Sequence, residues 1–195
     1  MQGGNSNNNL KIVIIGNYAV GKSTILQRFK KEEYKTILPT STSAYEIIHH
    51  IVNNMPIDLH FHDTAGQEKF RSITIQYFRC VDVFVIVYDI NDMASFKAVD
   101  EWNSLIKEHS TSSNPKIILV GNKSDLSRVI SRRNGELKAI ELNAEFMEVS
   151  AILNTNIDDL LNLIAEQYDE NMINNVVTNF DLNSNADSGH RSNCC

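Results

Sequence analysis

Gly16-Asn17-Tyr18-Ala19-Val20-Gly21-Lys22-Ser23 fits the pattern G-x-x-x-x-G-K-[ST], the signature of a phosphate-binding P-loop. Before it lies the apolar run Leu10 to Ile15, which suits a buried strand. After it, Thr24 to Lys31 spaces Ile25, Leu26 and Phe29 on one helical face. The motif requires this order of strand, glycine loop and helix. The glycines let the backbone wrap closely, so that amide N–H groups point inward at phosphate oxygens. The helix that opens there adds unpaired N–H groups and its positive dipole end. Lys22 is expected to reach the β- and γ-phosphates, and the Ser23 hydroxyl to ligate Mg²⁺. A plain glycine turn is the competing reading, and the flanking elements weigh against it.

The chain has 195 residues, which predicts one domain with a tail. A hydrophobic fraction of 42% is enough for a sizeable core, and a net charge of −6 gives no sign of nucleic-acid binding. No apolar run approaches the length of a membrane span. Residues 1–9 are polar and Asn-rich. They read as a disordered lead-in without the basic and apolar regions of a signal peptide, and Gly3 does not directly follow Met1, so N-myristoylation is not indicated. Of three cysteines, Cys80 is isolated and Cys194 and Cys195 are adjacent. That is no disulfide framework, and it fits a reducing cytosol.

Further along, Glu32 to Ser43 is polar, carries Pro39 and reads as a loop. Ala44–Val52 and Ile57–His62 read as an antiparallel hairpin around a turn at Asn53 to Pro56. Val81 to Tyr88 is nearly continuous in apolar residues, as a central parallel strand is. Ser95 is expected to cap a helix running to about His109, with Phe96, Val99, Trp102 and Ile106 on one face. Lys116–Gly121 reads as a strand, Arg133–Leu142 as a helix, Glu145–Val149 as a last strand, and Thr155 to about Met172 as an amphipathic helix. This alternation predicts an α/β fold: an open, mostly parallel, six-stranded sheet with one antiparallel hairpin strand and helices on both faces. Ligands bind such sheets beyond the carboxyl ends of the strands. Gly16, Asp63, Asn122 and Ser150 all fall there. Residues 173–195, rich in Asn, Ser and Asp, cannot bury a core and read as a disordered tail.

Two further segments carry chemistry. In Asn122-Lys123-Ser124-Asp125, a carboxylate at Asp125 can accept from the ring N–H and the exocyclic amine of guanine. Adenine would leave that carboxylate unpaired, so the site should reject ATP. Lys123 can lay its stem on the base, Asn122 can bond the base edge and tie this loop to the P-loop, and the Ala151 amide can donate to the guanine carbonyl. In Asp63-Thr64-Ala65-Gly66-Gln67, Asp63 suits Mg²⁺ through a bound water. Gly66 lets its N–H approach the γ-phosphate, and Gln67 can orient the attacking water. A strand-to-helix turn with an Asp cap is the plainer alternative.

These residues resemble the Rab family of small Ras-superfamily GTPases over about Leu10 to Met172 and at the last two residues. The resemblance rests on the P-loop and on Asp63 through Ile73, then Tyr77-Phe78-Arg79. Val87-Tyr88-Asp89-Ile90, Ser95-Phe96, Trp102 and Gly121 through Asp125 add to it. It implies a P-loop NTPase domain over residues 10–172 that hydrolyses GTP to GDP with Mg²⁺. The implied nucleotide contacts run from Gly16 to Thr24, with Asp63, Gly66, Asn122, Lys123, Asp125, Ser150 and Ala151. Thr40 matches the switch I threonine that joins Ser23 and Asp63 at Mg²⁺ when GTP is bound, and Tyr34 matches the aromatic flanking guanine. The family's cycle is implied too: GTP orders the two switches, effectors read that state, and hydrolysis releases it. So are its partners: an exchange factor, a GTPase-activating protein, a dissociation inhibitor, a prenylation escort and effectors. The role implied is in vesicle-mediated membrane transport. Cys194-Cys195 resembles a double-geranylgeranylation signal, and two lipids anchor stably where one does not. This implies a chain held at the cytoplasmic face of an intracellular or plasma membrane, with a cytosolic pool.

Several residues depart from the family pattern. Tyr18 and Ala19 stand where it commonly has Ser and Gly. A ring at Tyr18 would crowd the γ-phosphate, the attacking water or a partner's arginine, which predicts slow hydrolysis. Ser41-Thr42-Ser43-Ala44-Tyr45 replaces the usual switch I sequence, which puts the ordinary effectors in doubt. His62 replaces a tryptophan of a surface aromatic cluster whose other members match Tyr45 and Tyr77, and this would make effector binding pH-sensitive. Ile152 replaces a lysine beside the guanine pocket. His60 and His62 share a strand face beside His49 and His50, but no carboxylate or cysteine completes a metal set, and packed or exposed histidines fit better. Two other readings stand beside the switch. One is a nucleotide-locked scaffold with little turnover. The other is a P-loop ATPase or kinase, which Asp125 opposes.

Overall fold

The computed structural model describes residues 8–31, 44–63 and 75–168. Within them the chain runs β1 (Asn9–Ile15), α1 (Lys22–Phe29), β2 (Ala44–Val52), β3 (Met55–Asp63), β4 (Val83–Asp89), α2 (Met93–His109), β5 (Lys116–Asn122), α3 (Arg132–Leu142) and β6 (Glu145–Glu148), then α4 over 157–168. The strands form one six-stranded sheet in the order β2-β3-β1-β4-β5-β6. All neighbours are parallel except β2 and β3. This is the α/β architecture that the strand–helix alternation predicts.

β4 is buried at every position, which is why Val83 to Tyr88 is apolar without alternation. Its side chains divide between two layers. Val83, Val85 and Val87 join Ile12, Ile14, Ile25, Phe29, Leu160 and Ile164 on the face covered by α1 and α4. Phe84, Ile86 and Tyr88 join Val13, Ile15, Val99, Trp102 and Ala139 on the face covered by α2 and α3. Each fully buried branched side chain contributes about 1.5–3 kcal/mol, so these two layers fix the sheet order. The register sets Ile14 beside Asp63, Ile15 beside Ile86 and Asp89 beside Asn122. The carboxyl ends of β1, β3, β4 and β5 therefore open onto one edge.

Three boundaries differ from expectation for local reasons. The hairpin turn is Asn53-Asn54 alone, both with positive φ of 49° and 63°. Asparagine tolerates that conformation, and it is the geometry of a two-residue hairpin. Pro56 then pairs with Ile51, ahead of the point where β1 takes up β3 at Asp58, so its missing N–H costs no ladder bond. Asp92, not Ser95, caps α2. Its carboxylate accepts from the N–H groups of Ala94 at 2.9 Å and Ser95 at 3.2 Å, an acid being at least as good a cap as serine. The Ser95 hydroxyl instead donates to the Asp92 carbonyl at 2.8 Å and accepts from the Asp89 N–H at 3.0 Å. It thus laces the end of β4 to the start of α2. α1 opens at Lys22, two residues before the helix expected from the apolar face. Among the described residues, no helix is long and apolar enough to cross a membrane.

Candidate functional site

The turn between β1 and α1 holds its shape through two glycines that nothing else can replace. Gly16 has φ +142° and lies so close to β4 that a Cβ would run into the Val87 carbonyl oxygen. Gly21 has φ +98°, and a Cβ there would strike the Asn122 side-chain amide. Gly21 also precedes α1 without any side-chain cap, so the first-turn N–H groups of the helix face the loop and not a capping oxygen. Ala19 has φ 60°, a left-handed conformation that costs a Cβ-bearing residue about 1–2 kcal/mol. Val20 is buried, while Tyr18 is half exposed at 50%. Asn17 accepts a hydrogen bond from the Trp102 indole N–H at 3.1 Å, which moors the loop to α2.

Lys22 is buried, and its ammonium donates to the carbonyls of Gly16 and Asn17, both at 2.9 Å. Burial brings its pKa down to about 8 against the opposing pull of Asp63. Next to it on α1, the Ser23 hydroxyl donates to Asp63 Oδ2 at 2.6 Å, while Thr24 is partly buried. Asp63 itself is 1% exposed. Burial raises its pKa despite the Ser23 bond and the Lys22 charge. Its other oxygen, Oδ1, is buried without a hydrogen-bond partner among the described residues. A buried carboxylate oxygen without a partner is costly, and a hydroxyl and a carboxylate converging beside an uncapped helix start make an oxygen donor set that fits Mg²⁺.

The opposite end is built from the ends of β5 and β6. Asn122 is buried and binds in two directions. Its amide donates to the Val20 carbonyl at 2.8 Å, and its carbonyl oxygen accepts from the Ala151 N–H at 3.2 Å. Lys123, at φ 65°, sends its ammonium to Asp89 at 2.6 Å, which fixes the direction of its stem. The Ser150 hydroxyl donates to Asp125 and accepts from the Leu153 N–H at 3.1 Å. Ser150 and Thr155 pair through their backbones at 3.0 and 3.1 Å. Gly16, Asn17, Tyr18, Ala19, Val20, Gly21, Lys22, Ser23, Thr24, Asp63, Asn122, Lys123, Asp125, Ser150 and Ala151 are thus gathered along one edge of the sheet. Tyr34, Thr40, Gly66 and Gln67 lie outside the described residues, as do Cys194 and Cys195.

On β2 and β3, His62 packs between two aromatic rings, with centroids 4.9 Å from Tyr45 and 5.3 Å from Tyr77. Burial first, then the charges of Lys11 and His60, hold its imidazole below the ordinary value. His60 bonds the Tyr45 hydroxyl at 2.7 Å and His49 bonds Asp58 at 2.7 Å. Among the described residues no three His, Cys, Asp or Glu side chains are arranged to hold a metal ion.

Two residues of the site were given no site role from the sequence. Asp89 is an acid at the end of an apolar strand, a position that marks it as facing the ligand edge, but its pairing with Lys123 depends on the β4–β5 register. Arg28 is an ordinary helical arginine by its spacing. In the structure its guanidinium donates to the carbonyls of Ala151 at 2.8 Å and Ile152 at 2.7 Å.

The family profile described as Ras family matches residues 11–170. Ras-related protein SEC4 of Saccharomyces cerevisiae is 35% identical over 196 residues, spanning 95% of this chain and 91% of that protein. Ras-related protein RabC of Dictyostelium discoideum is 34% identical over 190 residues, 95% of this chain and 96% of that one. Ras-related protein Rab-3A of Homo sapiens is 36% identical over 169 residues, covering 83% and 76%.

Proposed function

The chain belongs to the Ras family of small GTPases, in its Rab branch, and from that premise we propose a GTP/GDP switch of vesicle-mediated membrane transport that turns over slowly. The observation that carries the reading is the convergence of the Lys22–Ser23–Asp63 cluster with the Asn122–Asp125–Ser150 cluster on one sheet edge. The first suits phosphates and the second suits guanine.

The amides of Gly16 through Thr24 and the Lys22 ammonium hold the β- and γ-phosphates. Ser23, Thr40 and Asp63 would hold Mg²⁺, which would supply positive charge to neutralise the phosphate oxygens. Asp125, Asn122, Lys123, Ser150 and Ala151 hold the base, and Tyr34 flanks it. Gln67 orients the water that attacks the γ-phosphorus, and Gly66 binds a γ-oxygen through its N–H. The bond from phosphorus to the β–γ bridging oxygen breaks, leaving GDP and inorganic phosphate. The G domain covers residues 10–172. Residues 173–195 form a tail whose Cys194 and Cys195 take two prenyl groups for attachment to a cytoplasmic membrane face. An exchange factor, an activating protein, a dissociation inhibitor, a prenylation escort and effectors follow from the family.

Slow turnover is assigned to Tyr18, a residue of the phosphate loop whose side chain is half exposed and bulkier than the serine common at this place in the family. Purified full-length chain should bind GTP over ATP by about a hundredfold or more and release phosphate with Mg²⁺. In single-turnover assays Tyr18→Ser should raise the rate about tenfold, about 1.4 kcal/mol off the barrier. A rate unchanged by that substitution would remove the role given to Tyr18. GTP binding without phosphate release would leave a nucleotide-locked scaffold as the function, and a preference for ATP would remove the guanine reading.

A further inference from the structure

We propose that Arg28 is a positioning residue for guanine, acting through the turn that carries Ala151. The inference rests on the GTP-binding reading above, and it assigns the guanine carbonyl contact a support on α1.

The turn after β6 is tied at its base. Ser150 and Thr155 exchange two backbone hydrogen bonds, and the Leu153 N–H donates to the Ser150 hydroxyl. Its tip is different. Ile152 is 47% exposed and Leu153 65%, so apolar packing does little to hold them. Arg28 reaches this tip from the last turn of α1. Nε donates to the Ala151 carbonyl at 2.8 Å and Nη2 to the Ile152 carbonyl at 2.7 Å. Two donors of one planar guanidinium, set on consecutive carbonyls, fix both the place and the tilt of the peptide planes they grip. The Ala151–Ile152 peptide adjoins the one that carries the Ala151 N–H. That N–H now donates to Asn122 Oδ1 at 3.2 Å, and it is the donor assigned to the guanine carbonyl oxygen. Asn122 in turn holds the Val20 carbonyl of the phosphate loop.

α1 therefore begins under the phosphates with Lys22 and Ser23 and ends with its arginine on the base turn. One rigid helix spans both ends of the nucleotide. A helix of eight residues passes a displacement at one end to the other with little bending, so movement of α1 would shift the N–H that reads guanine.

A merely structural role predicts something else. An arginine near the carboxyl end of a helix also favours the helix dipole, and its loss would weaken the fold without regard to the base. Three nucleotides separate the two roles. 6-Thioguanosine diphosphate keeps the ring N–H and the amine read by Asp125 but carries a weaker, larger acceptor where Ala151 donates. Inosine diphosphate keeps the carbonyl and lacks the amine. Release rates of GDP, 6-thio-GDP and IDP would be measured from the full-length chain with Mg²⁺, unaltered and as Arg28→Ala and Arg28→Lys. Removing a charge-assisted pair of hydrogen bonds should speed GDP release about tenfold. The preference for GDP over 6-thio-GDP should shrink towards one, while the preference for GDP over IDP stays as it was. Arg28→Lys, which keeps the charge but not the fork, should fall between, and it decides the question if Arg28→Ala does not fold. Equal acceleration of all three nucleotides, or no change in any, would overturn the proposal. Failure of the unaltered chain to hold GDP would overturn the GTPase reading beneath it.

Discussion

The two ends of the nucleotide edge are organised by opposite means. At the base end, Asn122, Lys123, Asp125, Ser150 and Ala151 each have a partner within the fold. At the phosphate end, a buried ammonium titrates near 8 while bonded to neutral carbonyls of its own loop. Beside it, a buried carboxylate oxygen has no partner among the described residues. Base recognition depends on geometry and is best built in advance. Phosphate recognition depends on charge, and a low-dielectric pocket strengthens every interaction that charge makes. The base end should therefore govern which nucleotide binds, and the phosphate end how tightly.

The sharpest way to break that contrast is Lys22→Ala. It should weaken GDP and GTP alike by about a thousandfold, or about 4 kcal/mol, with guanine preference over adenine retained, as read by nucleotide titration. Loss of that preference in the same variant would mean that the ends are not separable. Asp125→Asn comes next. It should weaken GTP by about a hundredfold and improve binding of XTP, whose carbonyl stands where guanine has its amine, because an amide can donate there. A uniform loss across both nucleotides would contradict the assignment of base choice to this end.

The smallest effect concerns backbone strain, which both ends carry. Ala19 and Lys123 have φ of 60° and 65°. Lys123 gains an ion pair with Asp89 from its position, whereas the methyl group of Ala19 can make no such pair. Ala19→Gly should raise stability by about 1 kcal/mol, seen as a higher melting temperature of the GDP-loaded chain. Lys123→Gly should not, since it gives up the pair. Equal responses would show that the ion pair contributes nothing to holding the base loop.

Much of this site is legible in the sequence because its chemistry is written in consecutive residues. A glycine loop with Lys22 and Ser23, or an Asn-Lys-x-Asp stretch, is defined by backbone conformation and side-chain type over a few positions. The same locality misleads at α2. Ser95 is a good cap by type, but Asp92, three residues earlier, starts the helix sooner by accepting from the N–H groups of Ala94 and Ser95, and it leaves the Ser95 hydroxyl to bridge two elements. Strand and helix types are readable from apolar periodicity, while their ends move by a residue or two, since the competition among turn residues is settled by what each can bond.

The sequence by itself determined the fold class and singled out the groups proposed to meet phosphate and guanine, because pattern and motif are properties of neighbouring residues. Only the tertiary structure decided which groups support them. Asn122 on Val20, Lys123 on Asp89 and Arg28 on Ala151 are contacts set by the order of six strands and the two layers packed on them. Two of these three span more than a hundred residues, a separation over which spacing along the chain carries no information about distance.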